Sequence, residues 1–158
     1  MINNRKRTII LLSWIAVLLW MLFIFNLSSQ TADQSDQLSK GIVAVVVGMI
    51  EKIAHGFDID TSGFNHFIRK SAHFFAYLVL GALVMNALRL SGVKRLRACA
   101  FAFGICVLYA VSDEVHQLFV PGRGGQAVDV LLDSVGASVG IGWQRLFRLK
   151  EYSIWSKL

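Results

Sequence analysis

Residues 9–27 read IILLSWIAVLLWMLFIFNL, a run without a single charge, and the fold is decided there. A hydrocarbon core of ~30 Å takes about 20 helical residues at about 1.5 Å each, so the run is long enough to cross a bilayer. It is also longer than the apolar region of a secretory signal, and Ser28-Ser29-Gln30 makes a poor small-residue cleavage site. The expectation is therefore a retained first transmembrane helix over about 8–27. Three further apolar runs follow, over about 70–89, 98–120 and 128–147. With 55% of its 158 residues hydrophobic and one proline, the chain has too little polar surface to cover a water-soluble fold. An all-α integral membrane bundle of four transmembrane helices, forming one domain over residues 1–158, is expected.

The connections differ in kind. Pro121-Gly122-Arg123-Gly124-Gly125 is rich in turn residues and suits a tight antiparallel hairpin between the last two helices. Residues 28–68 form a long segment that opens on the polar stretch Ser28 to Ser39. It continues into Leu38, Ile42, Val45, Val46, Met49 and Ile53, a spacing that suits an amphipathic helix on the membrane surface or capping the bundle. The ten residues from Gly41 to Ile50 are too few to span. His55 and His66, in the same segment, read as solvent-exposed. Cys99 and Cys106 are seven apart on one helix face, too distant along it to bridge, and read as small hydrophobes.

Basic residues give the orientation. Eleven of the 16 Lys and Arg, namely Arg5, Lys6, Arg7, Arg89, Lys94, Arg95, Arg97, Arg145, Arg148, Lys150 and Lys157, fall on one side of the expected spans. By the positive-inside rule both termini and the loop near residue 94 are cytoplasmic. Nine of the ten acids fall on the other side, Glu151 being the exception. The net charge of +6 is thus spread along the membrane boundary without aromatic-studded strands, which excludes a nucleic-acid binder.

Helical offsets of 4, 7 and 11 gather the polar residues of the spans onto facing stripes. Lys70, Phe74, Tyr77 and Gly81 share one face, with His73 beside it. Tyr109, Asp113, His116 and Gln117 share another, with Glu114 at its margin. Asp129, Asp133, Gly136 and Gly140 line a third. All the ionisable members lie within one or two turns of the outward helix ends, and each would cost at least ~2.5 kcal/mol if it faced lipid. They are expected to face one another or a wet cavity. Lys70 or Arg123 paired with acids could simply hold the bundle together, but the number of ionisable groups exceeds what packing needs. Gly81, Gly136 and Gly140 read as close-packing positions, serving one bundle or an interface between two. Tyr77 and Tyr109 are either interfacial aromatics or donors into the cavity.

Carboxylates with imidazoles can act as acid–base pairs, bind a divalent cation or grip a polar head group. A metal would take His73 or His116 with Asp113, Asp129 or Asp133; Glu114 and His116 diverge around their helix, and the spacing matches no known zinc motif. No cofactor is assigned. Arg69, Lys70 and Arg123 at the same rim suit a phosphate or carboxylate.

The strings Phe25-Asn26-Leu27-Ser28-Ser29-Gln30, Arg69-Lys70-Ser71-Ala72-His73-Phe74-Phe75-Ala76-Tyr77 and Tyr109-Ala110-Val111-Ser112-Asp113-Glu114-Val115-His116-Gln117-Leu118-Phe119-Val120-Pro121-Gly122-Arg123, continued by Asp129, Asp133 and Gly136, resemble the VanZ-like family. The resemblance implies a multi-pass bacterial cell-membrane protein whose namesake is linked to resistance to glycopeptides, teicoplanin in particular. It carries the family's motif residues onto Lys70, His73, Tyr77, Asp113, Glu114, His116, Gln117, Arg123, Asp129 and Asp133, and it supplies no biochemical mechanism. Two functions follow as expectations: a site that binds a lipid-linked cell-wall precursor or a lipid-tailed glycopeptide, or an enzyme acting on an envelope lipid or its head group. Either would use Asp113, Glu114, His116 and His73 as the reactive or binding core, with Lys70, Tyr77, Gln117, Arg123, Asp129 and Asp133 around the ligand. A transporter fits less well, because no polar chain continues across the bilayer.

Overall fold

The chargeless run folds as part of the first of four long helices among the described residues, and it is hydrophobic around its circumference. In the computed structural model, residues 4–38, 40–41 and 61–155 are described, with side chains between 61 and 155 described for 67–144. The four helices are α1 (Asn4–Ser28), α2 (Thr61–Leu90), α3 (Arg95–Gln117) and α4 (Ala127–Trp155), and a short helical stretch covers residues 32–38. Among the described residues there is no strand. The greater part of the expected amphipathic segment, including Ile42 to Ile53 and His55, and the side chain of His66, lie outside the described residues.

The helices outrun their apolar cores. A hydropathy window marks where a chain enters hydrocarbon, whereas Arg69 and Lys70 are good helix formers and α2 continues through them back to Thr61. At the other end of α3 the helix stops at Gln117, short of the apolar Val120. Pro121 disfavours helical geometry in the residue before it, and the chain tightens into i→i+3 bonds, Phe119 N–H to the His116 carbonyl at 3.0 Å and Val120 N–H to Gln117 at 3.1 Å.

Among the described residues, three helical segments are long and apolar enough to cross a membrane: Asn4–Ser28, Phe67–Leu90 and Arg95–Gln117. Helix α4 has the length, 29 residues, but Asp129, Asp133, Ser134, Gly136, Ser138, Gly140 and Gly142 dilute its apolar content. It packs on α2 and α3 and completes a four-helix bundle. Large apolar side chains cover the outside, among them Leu11, Leu18, Leu19, Leu22, Phe101, Leu108, Leu131 and Val135. In water so continuous an apolar surface would aggregate; in a bilayer it is the lipid-facing surface.

Helix α2 is the hub, touching each of the other three. Its Ala76, Tyr77, Leu80, Val84 and Ala87 are buried. Helix α1 buries Val17, Ile24 and Ser28, offsets of 7 and 11 that define one face, and its Trp20 indole donates to the Ala76 carbonyl of α2 at 2.8 Å. Helix α3 presents a stripe of small residues, Ala98, Ala102, Cys106 and Ala110, all buried, and Tyr109 donates its hydroxyl proton to the Met21 carbonyl at 2.5 Å. Both cysteines are free.

The tightest contact is between α2 and α4, which run parallel. A Cβ on Gly136 would collide with the Phe74 carbonyl oxygen, one on Gly140 with that of Leu78, and one on Gly81 with that of Ala137. The three glycines therefore let backbone meet backbone, as small residues do in membrane helix pairs. Gly140→Ala is expected to lower stability in detergent by about 1–3 kcal/mol, the usual cost of overpacking. Gly104→Ala, whose added Cβ meets nothing within 4 Å, serves as control and should be neutral or slightly stabilising. Equal thermal unfolding of the two variants would show that the seam is loose.

Candidate polar site at the Ser28 end of the bundle

The parallel register of α2 and α4 carries the glycine seam upward into a ladder of charged pairs. Four residues before Phe74 is Lys70, and its Nζ lies 2.6 Å from Oδ1 of Asp129, in the first turn of α4. One turn deeper, His73 Nδ1 lies 3.7 Å from Oδ2 of Asp133. The Lys70–Asp129 pair is about a quarter exposed on each side, and Asp129 also sits favourably at the positive end of the α4 dipole. This pair is the structural glue expected of such residues.

The loop between α3 and α4 closes the end of the bundle. Glu114, buried, accepts the Gln126 N–H at Oε2, 2.7 Å away, so its carboxylate is held just ahead of the α4 N-terminus. Gly122 has φ +75°, a left-handed conformation that favours glycine, and it brings the turn against Ala32 of the 32–38 stretch. The Ala32 N–H in turn donates to the Pro121 carbonyl at 3.3 Å. Arg123 is tethered through Nη2 to the Leu27 carbonyl at 3.3 Å.

These elements enclose a polar cavity of about 160 Å³ whose wall includes Arg69, Lys70, His73, Glu114, Gln117, Arg123, Gln126 and Asp129. Three permanent cations face two carboxylates there. Arg69 is paired with Asp36 at 3.4 Å and Lys70 with Asp129, whereas Arg123 makes no ion pair among the described residues and its Nε is buried without a hydrogen-bond partner. Burial holds the Arg123 pKa below its ordinary value, Arg69 adds to the effect, and Asp113, Glu114 and Asp36 oppose it. A guanidinium stays charged in proteins regardless, so the cavity wall keeps a cation whose buried Nε has no hydrogen-bond partner among the described residues, with Asp113, Glu114 and Asp36 near enough to act on its charge.

Beneath the cavity is a second polar layer. Asp113 and Asp133 are almost fully buried, and among the described residues neither carboxyl group completes a hydrogen bond; the Tyr77 hydroxyl, with Tyr77 itself fully buried, also lacks a hydrogen-bond partner there. Both acids lie within electrostatic reach of Tyr77 and of His73. Each such orphaned group costs about 1–3 kcal/mol, more if charged, which is a poor way to build glue alone.

Of the ten residues singled out in the sequence, Lys70, His73, Glu114, Gln117, Arg123 and Asp129 line the cavity, and Tyr77, Asp113 and Asp133 form the layer below. His116 points elsewhere: its Nε2 shares a hydrogen bond with Ser29 Oγ at 3.1 Å, and its ring stacks at 4.6 Å on Phe25 of α1. Tyr109 is likewise engaged by α1 and is neither an interfacial belt residue nor a donor into the cavity. Sequence reading missed Ser28, which is fully buried and accepts from Gln117 Nε2 at 2.9 Å; its offset of 11 from Val17 is the signal that would have found it. It also missed Gln126, which acts through its backbone and leaves no mark in the sequence. Among the described residues no three His, Cys, Asp or Glu side chains converge as a metal site.

A four-helix membrane bundle with an ionisable pocket at one end is the class that fold and site define. The VanZ/LLP1 family model matches residues 13–148, and the chain belongs to that family: it is a VanZ/LLP1 membrane protein. Comparison with curated proteins and with solved structures gave no match.

If Lys70 and Asp129 act as one unit, Lys70→Met and Asp129→Asn should each destabilise the detergent-solubilised protein by about 1–3 kcal/mol. The double variant should then fall short of the sum by at least about 1 kcal/mol. Strict additivity in thermal unfolding would mean that solvent, not the partner, satisfies each charge.

Proposed function

We propose that the pocket binds the anionic head group of an envelope lipid or lipid-linked cell-wall precursor in a bacterial cell membrane. Both termini are cytoplasmic on this reading, following the distribution of basic residues, and the pocket opens at the outer face. Binding there contributes to envelope function or to tolerance of glycopeptides such as teicoplanin. The observation that carries the reading is Arg123, on the wall of a small polar cavity, whose buried Nε has no hydrogen-bond partner and which makes no ion pair among the described residues. An oxyanion would satisfy that donor, and guanidinium suits phosphate geometry. The volume favours a head group over a drug-sized molecule, whose pockets run about 300–1,000 Å³.

A second reading rests on the His73–Asp133 pair. A carboxylate at one ring nitrogen orients an imidazole and leaves the other nitrogen for proton transfer or nucleophilic attack, and His73 borders the cavity. The chain would then be an enzyme acting on the bound head group. Turnover of a lipid phosphoester that falls at least a hundredfold in His73→Gln, with phosphate binding retained, would favour catalysis over binding alone.

The direct test is titration of the full chain, in nanodiscs of zwitterionic lipid, with glycerol phosphate. Saturable binding is expected, weakened at least tenfold in Arg123→Gln, since hydrogen bonds to charged groups contribute about 1.5–3 kcal/mol. No saturable binding by the wild type would end the head-group reading. In a Gram-positive host at matched membrane levels, the wild type should raise teicoplanin tolerance and Arg123→Gln should not; equal tolerance would separate the phenotype from this pocket.

A further inference from the structure

The polar cavity has an apolar neighbour. A groove of about 190 Å³ runs between α1, the 32–38 stretch and α2, lined by Ile24, Leu27, Leu38, Ile68, Ala72 and Ala76. The two spaces share three wall residues, Arg69, His73 and Arg123. The Arg123 guanidinium, tethered to the Leu27 carbonyl, therefore stands at the boundary, with phosphate-matching donors on one side and hydrocarbon on the other. Ile24 and Ala76, both buried, lie about one helical turn from Leu27 and His73 toward the middle of the span. Leu38 and Ala72 are exposed at the rim.

Resting on the head-group reading above, we propose that the ligand is a lipid phosphate held in two chambers: its phosphate in the polar cavity and one hydrocarbon chain in this groove. Two things commit the groove to that occupant. It is continuous with the cavity through the residues that would hold the phosphate, and its lining turns from charged to apolar in the direction a membrane lipid does. A soluble anion would use the cavity and leave the groove without a role. A neutral lipid would use the groove and leave the buried Arg123 Nε without an acceptor. A lipid phosphate uses both, and the head sets where the chain lies.

The test uses the full chain in nanodiscs with two photoreactive probes: a long-chain alkyl phosphate carrying a mid-chain diazirine, and the alcohol of the same chain. Labelled positions are mapped by mass spectrometry, alongside glycerol phosphate binding to the same preparation. With the phosphate probe, labelling at Leu27, Ala72 and Ala76 should exceed that at the lipid-facing Leu11, Leu18 and Leu19 at least fivefold, and the alcohol should show no such preference. Uniform labelling by the phosphate probe, with glycerol phosphate still bound, overturns the two-chamber proposal and leaves the head-group site standing. Equal enrichment by the alcohol also overturns it, because the groove would then take any chain without reference to the phosphate. Failure of glycerol phosphate to bind, together with uniform labelling, removes both.

Discussion

The close approach of α2 and α4 is the constraint on which the rest depends. Gly136 against Phe74, Gly140 against Leu78 and Gly81 against Ala137 fix both the distance and the register of two parallel helices. Lys70 lies four residues before Phe74, with His73 beside it, and Asp133 and Asp129 lie three and seven before Gly136, offsets that keep them near the seam face; that register puts Lys70 opposite Asp129 and His73 opposite Asp133. Slide one helix by a turn, about 5.4 Å, and both Asp129 and Asp133 lose their partners on α2. In a bilayer there is no hydrophobic force between apolar helices to hold them at a chosen register. Backbone contact and the polar ladder must do so together.

The two halves of the polar end are built on different terms. In the upper half most charged groups have partners: Lys70 pairs with Asp129, Arg69 with Asp36, and Glu114 accepts the Gln126 N–H. In the lower half Asp113, Asp133 and Tyr77 have buried oxygens without hydrogen-bond partners. A bundle selected only for stability would sooner replace such groups with apolar residues of the same volume, which is often neutral or stabilising. They lie directly under Arg123, the one of the three cavity cations that makes no ion pair among the described residues, so stability alone is a poor account of this end of the bundle.

Much of this was legible in the sequence because membrane folds leave simple marks. Apolar runs gave the helices, while facing stripes gave the buried cluster and the small residues at 81, 136 and 140 gave the seam through helical periodicity. What was not legible depends on where side chains point within a stripe. Glu114 and His116 flank Asp113 at neighbouring angles, and periodicity set His116 on the polar face and Glu114 at its margin. In the fold, α1 crosses near His116 and takes it into contact with Phe25 and Ser29, while Glu114 turns to the loop. No pattern within α3 records where α1 will cross. The Gln126 N–H is invisible for a different reason, since backbone donors carry no residue code. The helix ends were misplaced because hydropathy reports the solvent around a residue, whereas caps, proline and propensity decide where helices start and stop.

The balance between the two chambers follows from the solvent. A hydrocarbon chain moving from the bilayer into an apolar groove exchanges one hydrocarbon surrounding for another, so it gains little of the free energy that apolar burial supplies in water. On the two-chamber proposal the groove would contribute position more than affinity. The phosphate would be in the opposite situation: it would leave a wet interface for charge-assisted hydrogen bonds from Arg123. Recognition of a lipid phosphate would then be dominated by the head and aligned by the tail. A site of that kind can discriminate among head groups while remaining tolerant of chain length.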